Sequence, residues 1–127
     1  MNKSSYHILR VGLAVTFLWV GILIAKNPLD WGSFIEPWAA GFLPGSLHSA
    51  MVATAVMDIV VGFLLLIDFW TWLAALVAAF HLVVVLVVTG IGNVTVRDIG
   101  LLAGMLALMA DSRPPSFLAR LKSRKYA

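Results

Sequence analysis

Apolar residues dominate four segments of the chain, and the polar and turn-forming residues are concentrated in the breaks between them. Each segment is apolar almost all the way round, which is typical of membrane-spanning helices rather than of one-sided surface helices. The predicted spans cover residues 8–25, 48–67, 71–89 and 96–110. We therefore predict an all-α fold, a four-transmembrane-helix bundle in a single integral membrane domain over residues 1–127.

The break between the first and second spans is the longest connection, and it has a helical pattern of its own. Apolar side chains recur at helical spacing from Trp31 to Phe42, and Ser33 followed by Glu36 forms a capping-box pattern. We predict a short interfacial amphipathic helix that ends at Pro44 and Gly45, with its aromatic rings among the lipid headgroups. Its expected role is to anchor the chain; the alternative is that it covers a cavity.

The fourth span is short and begins with a charged pair, Arg97 and Asp98. Thr95 and Asp98 form a second capping-box pattern, so the helix is expected to begin near Val96. About fifteen residues cover about 22 Å, whereas the hydrocarbon core is about 30 Å thick. Both charges are therefore expected below the membrane surface, where ionisable groups indicate a functional site. We expect Arg97 to be buried in a pair with a carboxylate; the alternative is that it extends to the headgroups.

Composition and charge support a membrane protein. Hydrophobic residues make up 61% of the chain and charged residues 12%, and the mean hydropathy is +0.98. The net charge of +3 lies at helix ends rather than on one face, which argues against nucleic acid as a partner. The end of the bundle that holds both termini has seven cations, against Lys26 and Arg97 at the other: Lys3, Arg10, Arg113, Arg120, Lys122, Arg124 and Lys125. The positive-inside rule then predicts cytoplasmic termini, with a basic tail over residues 111–127 that contacts membrane lipid.

The absence of cysteine excludes thiolate iron–sulfur clusters, covalently attached haem and disulfide redox chemistry. Three histidines, His7, His48 and His81, fall at different predicted depths, so a bis-histidine haem is not expected. A pigment held by a single ligand remains compatible with the sequence. We expect no intrinsic cofactor and no metal site; a quinone is the candidate ligand.

Asp58 and His81 are the candidate catalytic residues. They lie near the middle of the second and third spans, and their depths agree to about 3 Å at about 1.5 Å per residue. The short turn at residues 68–70 makes the two helices neighbours. The pair either relays protons, which suits a histidine with an ordinary pKa near 6.5, or forms a neutral hydrogen bond that joins two helices.

Two further groups of residues are candidates for binding and packing. Arg97, Asp98 and Lys26 converge at the end of the bundle away from the termini, where cations and the positive start of the last helix would attract an anionic group. Gly100 and Gly104 form a GxxxG step, which lets a neighbouring helix approach closely.

Residues at both ends of the chain resemble the DoxX/DoxD-like family of small membrane proteins. The resemblance is carried by Arg10, Gly12, Gly21, Lys26 and Pro28 at the first span, and by the sequence VRDIGLL over residues 96–102. Asp58 stands where many relatives would have a glutamate. The resemblance implies a four-helix bundle in a bacterial or archaeal cytoplasmic (inner) membrane. Its best-known association is the membrane subunit of thiosulfate:quinone oxidoreductase.

Three functions are compatible with these patterns. The first is a redox-linked membrane subunit that binds quinone or a small substrate beside Arg97, Asp98, Asp58 and His81. The second is a non-catalytic accessory or assembly subunit, which docks through small-residue helix faces onto other membrane subunits or another copy of the chain. The third is a small proton-coupled carrier. Catalysis by the chain alone is not expected, and co-purification would separate the subunit roles from the carrier.

Overall fold

The computed structural model describes residues 1–43, 45–93 and 95–113, so the basic residues predicted in the tail beyond Arg113 lie outside the described residues. Within these ranges the chain forms helices and no strand, which confirms the all-α prediction. The described residues form six helices: α1 (Lys3–Lys26), α2 (Pro28–Gly32), α3 (Pro37–Ala40), α4 (Leu47–Leu66), α5 (Thr71–Thr89) and α6 (Val96–Asp111).

Three of the helices, α1, α4 and α5, are long and apolar enough to cross a membrane. The fourth predicted span corresponds to α6, which has 16 residues and is shorter than the other three. Because a helix of this length covers only about 24 Å, a fourth complete crossing stays a prediction. The chain therefore has three candidate membrane-spanning helices and one further long helix among its described residues.

The four long helices pack in a ring, in which α1 lies against α4 and α6, and α5 lies against the same two helices. Met1, the turn after α4 and the end of α6 lie together at what we call the terminal end; α2, α3 and the turn before α6 form the loop end. Apolar side chains from all four long helices fill the terminal half, and Leu65, Met105 and Leu108 are completely buried there. The bundle is therefore closed at its terminal end.

The closest helix contact is between α1 and α4. It is made at Gly21 on α1 and Gly62 on α4, and each glycine faces the backbone of the other helix. A Cβ atom on Gly62 would lie 2.9 Å from the backbone nitrogen of Leu18 and 3.0 Å from the carbonyl oxygen of Ala14. A Cβ atom on Gly21 would lie 3.0 Å from the carbonyl oxygen of Ala55. Because backbone atoms cannot move aside as a flexible side chain can, both positions require glycine for this helix spacing.

The long connection between α1 and α4 differs from its prediction. The single amphipathic helix expected here is replaced by two short helices, α2 and α3, and the Ser33–Glu36 capping box does not form. The hydroxyl of Ser33 donates to the carbonyl oxygen of Asp30 instead. Pro37 explains the break, because a proline disfavours helical dihedrals in the preceding residue, and Glu36 has an extended ψ of 143°.

The helix α6 begins at Val96 as expected, but the prediction of a Thr95–Asp98 capping box is wrong, because this capping box does not form. The Thr95 hydroxyl donates to the carbonyl oxygen of Gly90 at 2.6 Å and accepts the N–H of Gly92 at 2.8 Å. Thr95 itself has helical dihedrals rather than the extended ones of a capping residue. Its side chain therefore stabilises the preceding turn, and the carboxylate of Asp98 is not held by a cap.

We expect substitution of Gly62 with alanine to destabilise the protein by about 1–3 kcal/mol, because the added methyl group must push α1 away from α4. Gly100→Ala is the matched control, since its Cβ would have no atom within 4 Å. That change should be neutral or raise helix stability by up to about 1 kcal/mol. Thermal unfolding of both variants in detergent provides the measurement; equal stabilities would contradict the close α1–α4 contact.

Candidate functional site

A cavity of about 580 Å³ lies in the loop-end half of the molecule, between the four long helices. Most of its wall is apolar, with Phe17, Leu82 and Leu101 among the lining side chains. The polar lining residues are few: Thr16, Thr54, Asp58, His81, Thr89, Thr95, Arg97 and Asp98. The cavity is thus a largely apolar space with a small number of ionisable groups.

The connection formed by α2 and α3 covers the cavity at the loop end. Trp31, Phe34 and Ile35 contribute to the cavity wall. Between the two short helices, the backbone N–H of Glu36 donates to the carbonyl oxygen of Val88 at 2.8 Å, which joins the connection to the last turn of α5. Gly32 packs against the Leu47 side chain at the start of α4. Residues of this connection thus line the cavity, and whether the connection mainly anchors the chain or covers the cavity stays a prediction.

Asp58 and His81 lie side by side on the cavity wall, as their matched depths predict. The distance between Asp58 Oδ1 and His81 Nε2 is 4.0 Å. This distance is longer than a hydrogen bond, which requires about 2.7–3.2 Å. Asp58 is only 5% exposed, and its Oδ1 is fully buried and lacks a hydrogen-bond partner among the described residues. A buried polar atom without a partner is costly, so this oxygen is available to a bound molecule.

Gly21 is the residue that positions Asp58. A Cβ atom on Gly21 would lie 3.1 Å from the Cβ of Asp58, so α1 contacts the base of the aspartate side chain directly. The contact fixes the position of Asp58 through backbone packing rather than through a hydrogen bond. The close α1–α4 contact at Gly21 therefore also determines where Asp58 lies on the cavity wall.

Arg97 and Asp98 reach the cavity, but at its edge. Asp98 is half-buried and interacts electrostatically with both Arg97 and Asp58. Arg97 is exposed, which corrects the expectation that this residue is buried, while its charge still acts on the neighbouring Asp98. Its position explains the difference, because the first turn of α6 lies at the loop end rather than deep in the bundle. Lys26 is the exposed last residue of α1 and is not among the residues that line the cavity.

A polar cluster at the terminal end was not predicted from the sequence. Arg10 is 8% exposed and donates to the carbonyl oxygens of Leu65 and Leu66 at 2.6 and 2.8 Å. Its Nη2 lies 3.1 Å from Nδ1 of His7, and its Nε lies 3.8 Å from Asp68 Oδ1. Arg10 thus binds the last carbonyl groups of α4. The available signal was an arginine inside an apolar segment and an aspartate in a turn at the same depth.

Asp68 completes this cluster. Its Oδ1 accepts hydrogen bonds from the hydroxyls of Tyr6 and Thr71, each at 2.7 Å. Burial alone would raise the pKa of Asp68, but these hydrogen bonds and the Arg10 charge outweigh it, and the pKa is lowered. A lowered pKa means that the carboxylate contributes stability above its ordinary pKa and loses it as the pH falls through the lowered value. The backbone of Asp68 has φ 55°, a strained conformation that these contacts hold in place.

The GxxxG step of α6 does not form a close helix contact with the other residues that the structure describes. A Cβ on Gly104 would be in ordinary contact with Leu13 and Leu9, and one on Gly100 would face open space. Its role in packing against another chain stays a prediction. Across the described ranges, no group of three or more histidine, aspartate or glutamate side chains could hold a metal ion.

Comparison with known proteins gives a match to a family model. The family model described as DoxX matches residues 5–91, which include nearly all of α1 and the whole of α4 and α5 with Asp58 and His81, and end before α6. No curated protein and no solved structure matches the chain. Together with the three long apolar helices, this match identifies a small membrane protein.

Proposed function

The chain belongs to the DoxX family, and from this premise we propose that it is a membrane subunit that binds a quinone in the loop-end cavity. The observation that carries the proposal is the unpartnered, buried Oδ1 of Asp58, 4.0 Å from His81 Nε2, on the wall of an apolar cavity. The cavity volume of about 580 Å³ falls within the range of about 300–1,000 Å³ that is usual for small-molecule sites.

The residues present fit a quinone. An apolar wall suits its ring, and a carboxyl group and an imidazole suit ring oxygens that gain or lose protons when the ring is reduced or oxidised. Asp58 and His81 would each hold a proton at the cavity wall, with Oδ1 and Nε2 as the exchanging atoms. Their burial excludes bulk water, which strengthens hydrogen bonds to a bound oxygen.

Arg97 and Asp98 supply the polar edge of the same cavity. Half-buried Asp98 lines the same cavity as Asp58 and its charge acts on the Asp58 carboxyl group, and Asp98 lies nearer the loop end. We propose that protons pass between Asp58 and this side of the membrane. The centre of the terminal half, around Leu65, Met105 and Leu108, is apolar and tightly packed. The positive-inside distribution would make the loop end the outer side.

Electrons would be exchanged with a redox partner subunit, since the chain itself lacks the cysteines that hold iron–sulfur clusters. In this proposal the present subunit binds the quinone and exchanges protons with it. The partner would supply the electron donor or acceptor. Co-purification of the native protein with a redox subunit is the expected result.

We expect the purified protein to bind a quinone analogue, and Thr54→Trp to weaken binding at least about tenfold by filling the cavity one turn from Asp58. Thr54 lines the cavity, whereas the neighbouring Ala53 is exposed and does not, so Ala53→Trp is the matched control. Isothermal titration in nanodiscs measures the affinity. If wild type shows no binding, or if both tryptophan variants bind equally well, the cavity is not the quinone site.

One observation favours the accessory role as a second candidate. Gly100 is exposed and has open space beside it, on a helix that the other helices cover on one side only. An accessory subunit could place a partner helix there without any ligand in the cavity. Co-purification with a partner but no dependence of activity on Asp58 or His81 would favour this role. Quinone-independent proton uptake by vesicles containing the chain alone would instead favour a carrier.

A further inference from the structure

A second cavity, of about 780 Å³, lies at the terminal end, and we propose that it binds the headgroup of a phospholipid that carries a primary ammonium group beside its phosphate. This terminal-end cavity is open outwards, and none of its lining residues lines the loop-end cavity. The proposal is therefore independent of the quinone site. The volume falls within the range of about 300–1,000 Å³ that is usual for small-molecule sites.

The terminal-end cavity lies where a membrane surface would meet the protein. Its walls come from the first turns of α1, the start of α5 and the end of α6, and both α1 and α5 are long and apolar enough to cross a membrane. Trp70, on the cavity wall, is exposed and stacks on the exposed Phe69, with 4.8 Å between the ring centroids. Exposed tryptophans at the ends of spanning helices are typical of the headgroup region. The cavity is thus placed to meet lipid headgroups.

Two cations on the cavity wall are available to a phosphate group. Lys3 is exposed and forms no ion pair with the described residues. Arg113 donates only from Nε, to the carbonyl oxygen of Ala110, so its two Nη atoms remain for a ligand. The amino group of Met1 is already held by Asp111 at 3.1 Å, so these two charges compensate each other.

Asp68 supplies the negative charge that an ammonium group requires. Its contacts with the described residues are all made by Oδ1, which accepts from Tyr6 and Thr71 and pairs with Arg10. The atom Oδ2 has no hydrogen-bond partner among these residues, and the side chain is 38% exposed on the cavity wall. The lowered pKa of Asp68 keeps the carboxylate charged at neutral pH, so Oδ2 can accept a hydrogen bond from an ammonium N–H.

The apolar part of the wall suits the glycerol and the first acyl carbons of a lipid. Trp72 is half-buried and Leu73 is exposed, and both line the cavity on the first turn of α5. A zwitterionic headgroup with a primary ammonium therefore uses the cations, the free carboxylate oxygen and the apolar wall together. A choline headgroup has methyl groups in place of N–H donors, and a headgroup with a phosphate alone leaves Asp68 without a cation from the ligand.

The test is native mass spectrometry of the intact protein in detergent, titrated with phosphatidylethanolamine, phosphatidylcholine and phosphatidylglycerol that have identical acyl chains. We expect phosphatidylethanolamine to bind about fivefold more tightly than phosphatidylcholine, the effect of one solvent-exposed ion pair. Lys3→Gln and Arg113→Gln should each weaken its binding about fivefold, because each removes one cation beside the phosphate. Lys26→Gln is the matched control, since Lys26 is an exposed cation that does not line this cavity.

Asp68→Asn should remove the preference for phosphatidylethanolamine while the affinity for phosphatidylcholine is unchanged, since the amide oxygen can still accept from Tyr6 and Thr71. If this variant does not fold, the wild-type protein gives the same information through lipids with one or two methyl groups on the ammonium nitrogen, whose affinities should fall stepwise.

Three results would overturn the proposal: equal affinities for phosphatidylethanolamine and phosphatidylcholine, tightest binding of phosphatidylglycerol, or an equal effect of Lys26→Gln and the two cavity variants. Soluble glycerophosphoethanolamine should compete only at concentrations far above that of the lipid, because it lacks the acyl carbons that contact Trp72 and Leu73. Competition at equal concentration would show that the site takes a free phosphate ester and would overturn the assignment to a lipid.

Discussion

Replacing Arg10 with methionine is expected to destabilise the protein by about 2–4 kcal/mol, because a buried cation that satisfies two carbonyl groups and a carboxylate is lost. The side chain of Arg10 is 10% exposed and that of Asp68 is 38% exposed, so the ion pair itself is partly screened by solvent. Most of the expected loss therefore comes from the carbonyl groups of Leu65 and Leu66, which would remain without their charged donor. Thermal unfolding in a fixed detergent gives the measurement.

Two variants show whether this loss belongs to the Arg10 geometry or to its charge. Lys3→Met removes an exposed cation from the same end of the bundle and should be nearly neutral. Arg10→Lys keeps the charge but replaces a planar group with a single ammonium, so it should restore only part of the stability. Wild-type stability of Arg10→Met would contradict the role of Arg10 as the group that joins α1 to the end of α4.

The long helices could be predicted because each is a continuous apolar segment with turn-forming residues at its ends. The two capping boxes failed for a shared reason: the pattern of residue types was present, but other partners took the hydroxyl groups. Thr95 bonds to the turn that contains Gly90, and Ser33 bonds to Asp30. The identities of four residues do not specify the backbone geometry of the preceding turn. That geometry determines which carbonyl oxygen lies nearest to the hydroxyl group.

The candidate pair Asp58 and His81 could be found because depth along two helices joined by a tight turn is a one-dimensional property of sequence. The rotation of each helix about its axis and the spacing between helices cannot be calculated from sequence position in this way. Arg97 therefore lies at the cavity edge and Lys26 does not line the cavity, which the sequence did not predict. The close contacts at Gly21 and Gly62 depend on which helix is opposite. The Arg10–Asp68 contact joins residues 58 positions apart in sequence, which composition and periodicity do not relate.

Asp58→Asn is expected to abolish quinone-linked activity of the assembled complex, with a loss of about 10²- to 10⁴-fold, while the protein folds and still binds the quinone. Asparagine has nearly the same shape as aspartate and can still form hydrogen bonds, but it cannot take up and release a proton. Because Asp58 Oδ1 has no hydrogen-bond partner among the described residues, the substitution breaks no observed contact at that atom. His81→Gln removes the second ionisable group and should have a comparable effect on activity.

The control must separate loss of chemistry from loss of structure. Asp30→Asn makes the same chemical change at an exposed aspartate outside the cavity, so the activity of that variant should equal that of wild type. Thermal stability and quinone affinity of the three variants, measured beside the steady-state rate across pH, show whether only proton exchange is affected. If Asp58 and His81 merely join α4 to α5, the rate per folded complex and its pH profile should be unchanged in both variants. Full activity of both Asp58→Asn and His81→Gln would show that the 4.0 Å pair takes no part in proton transfer.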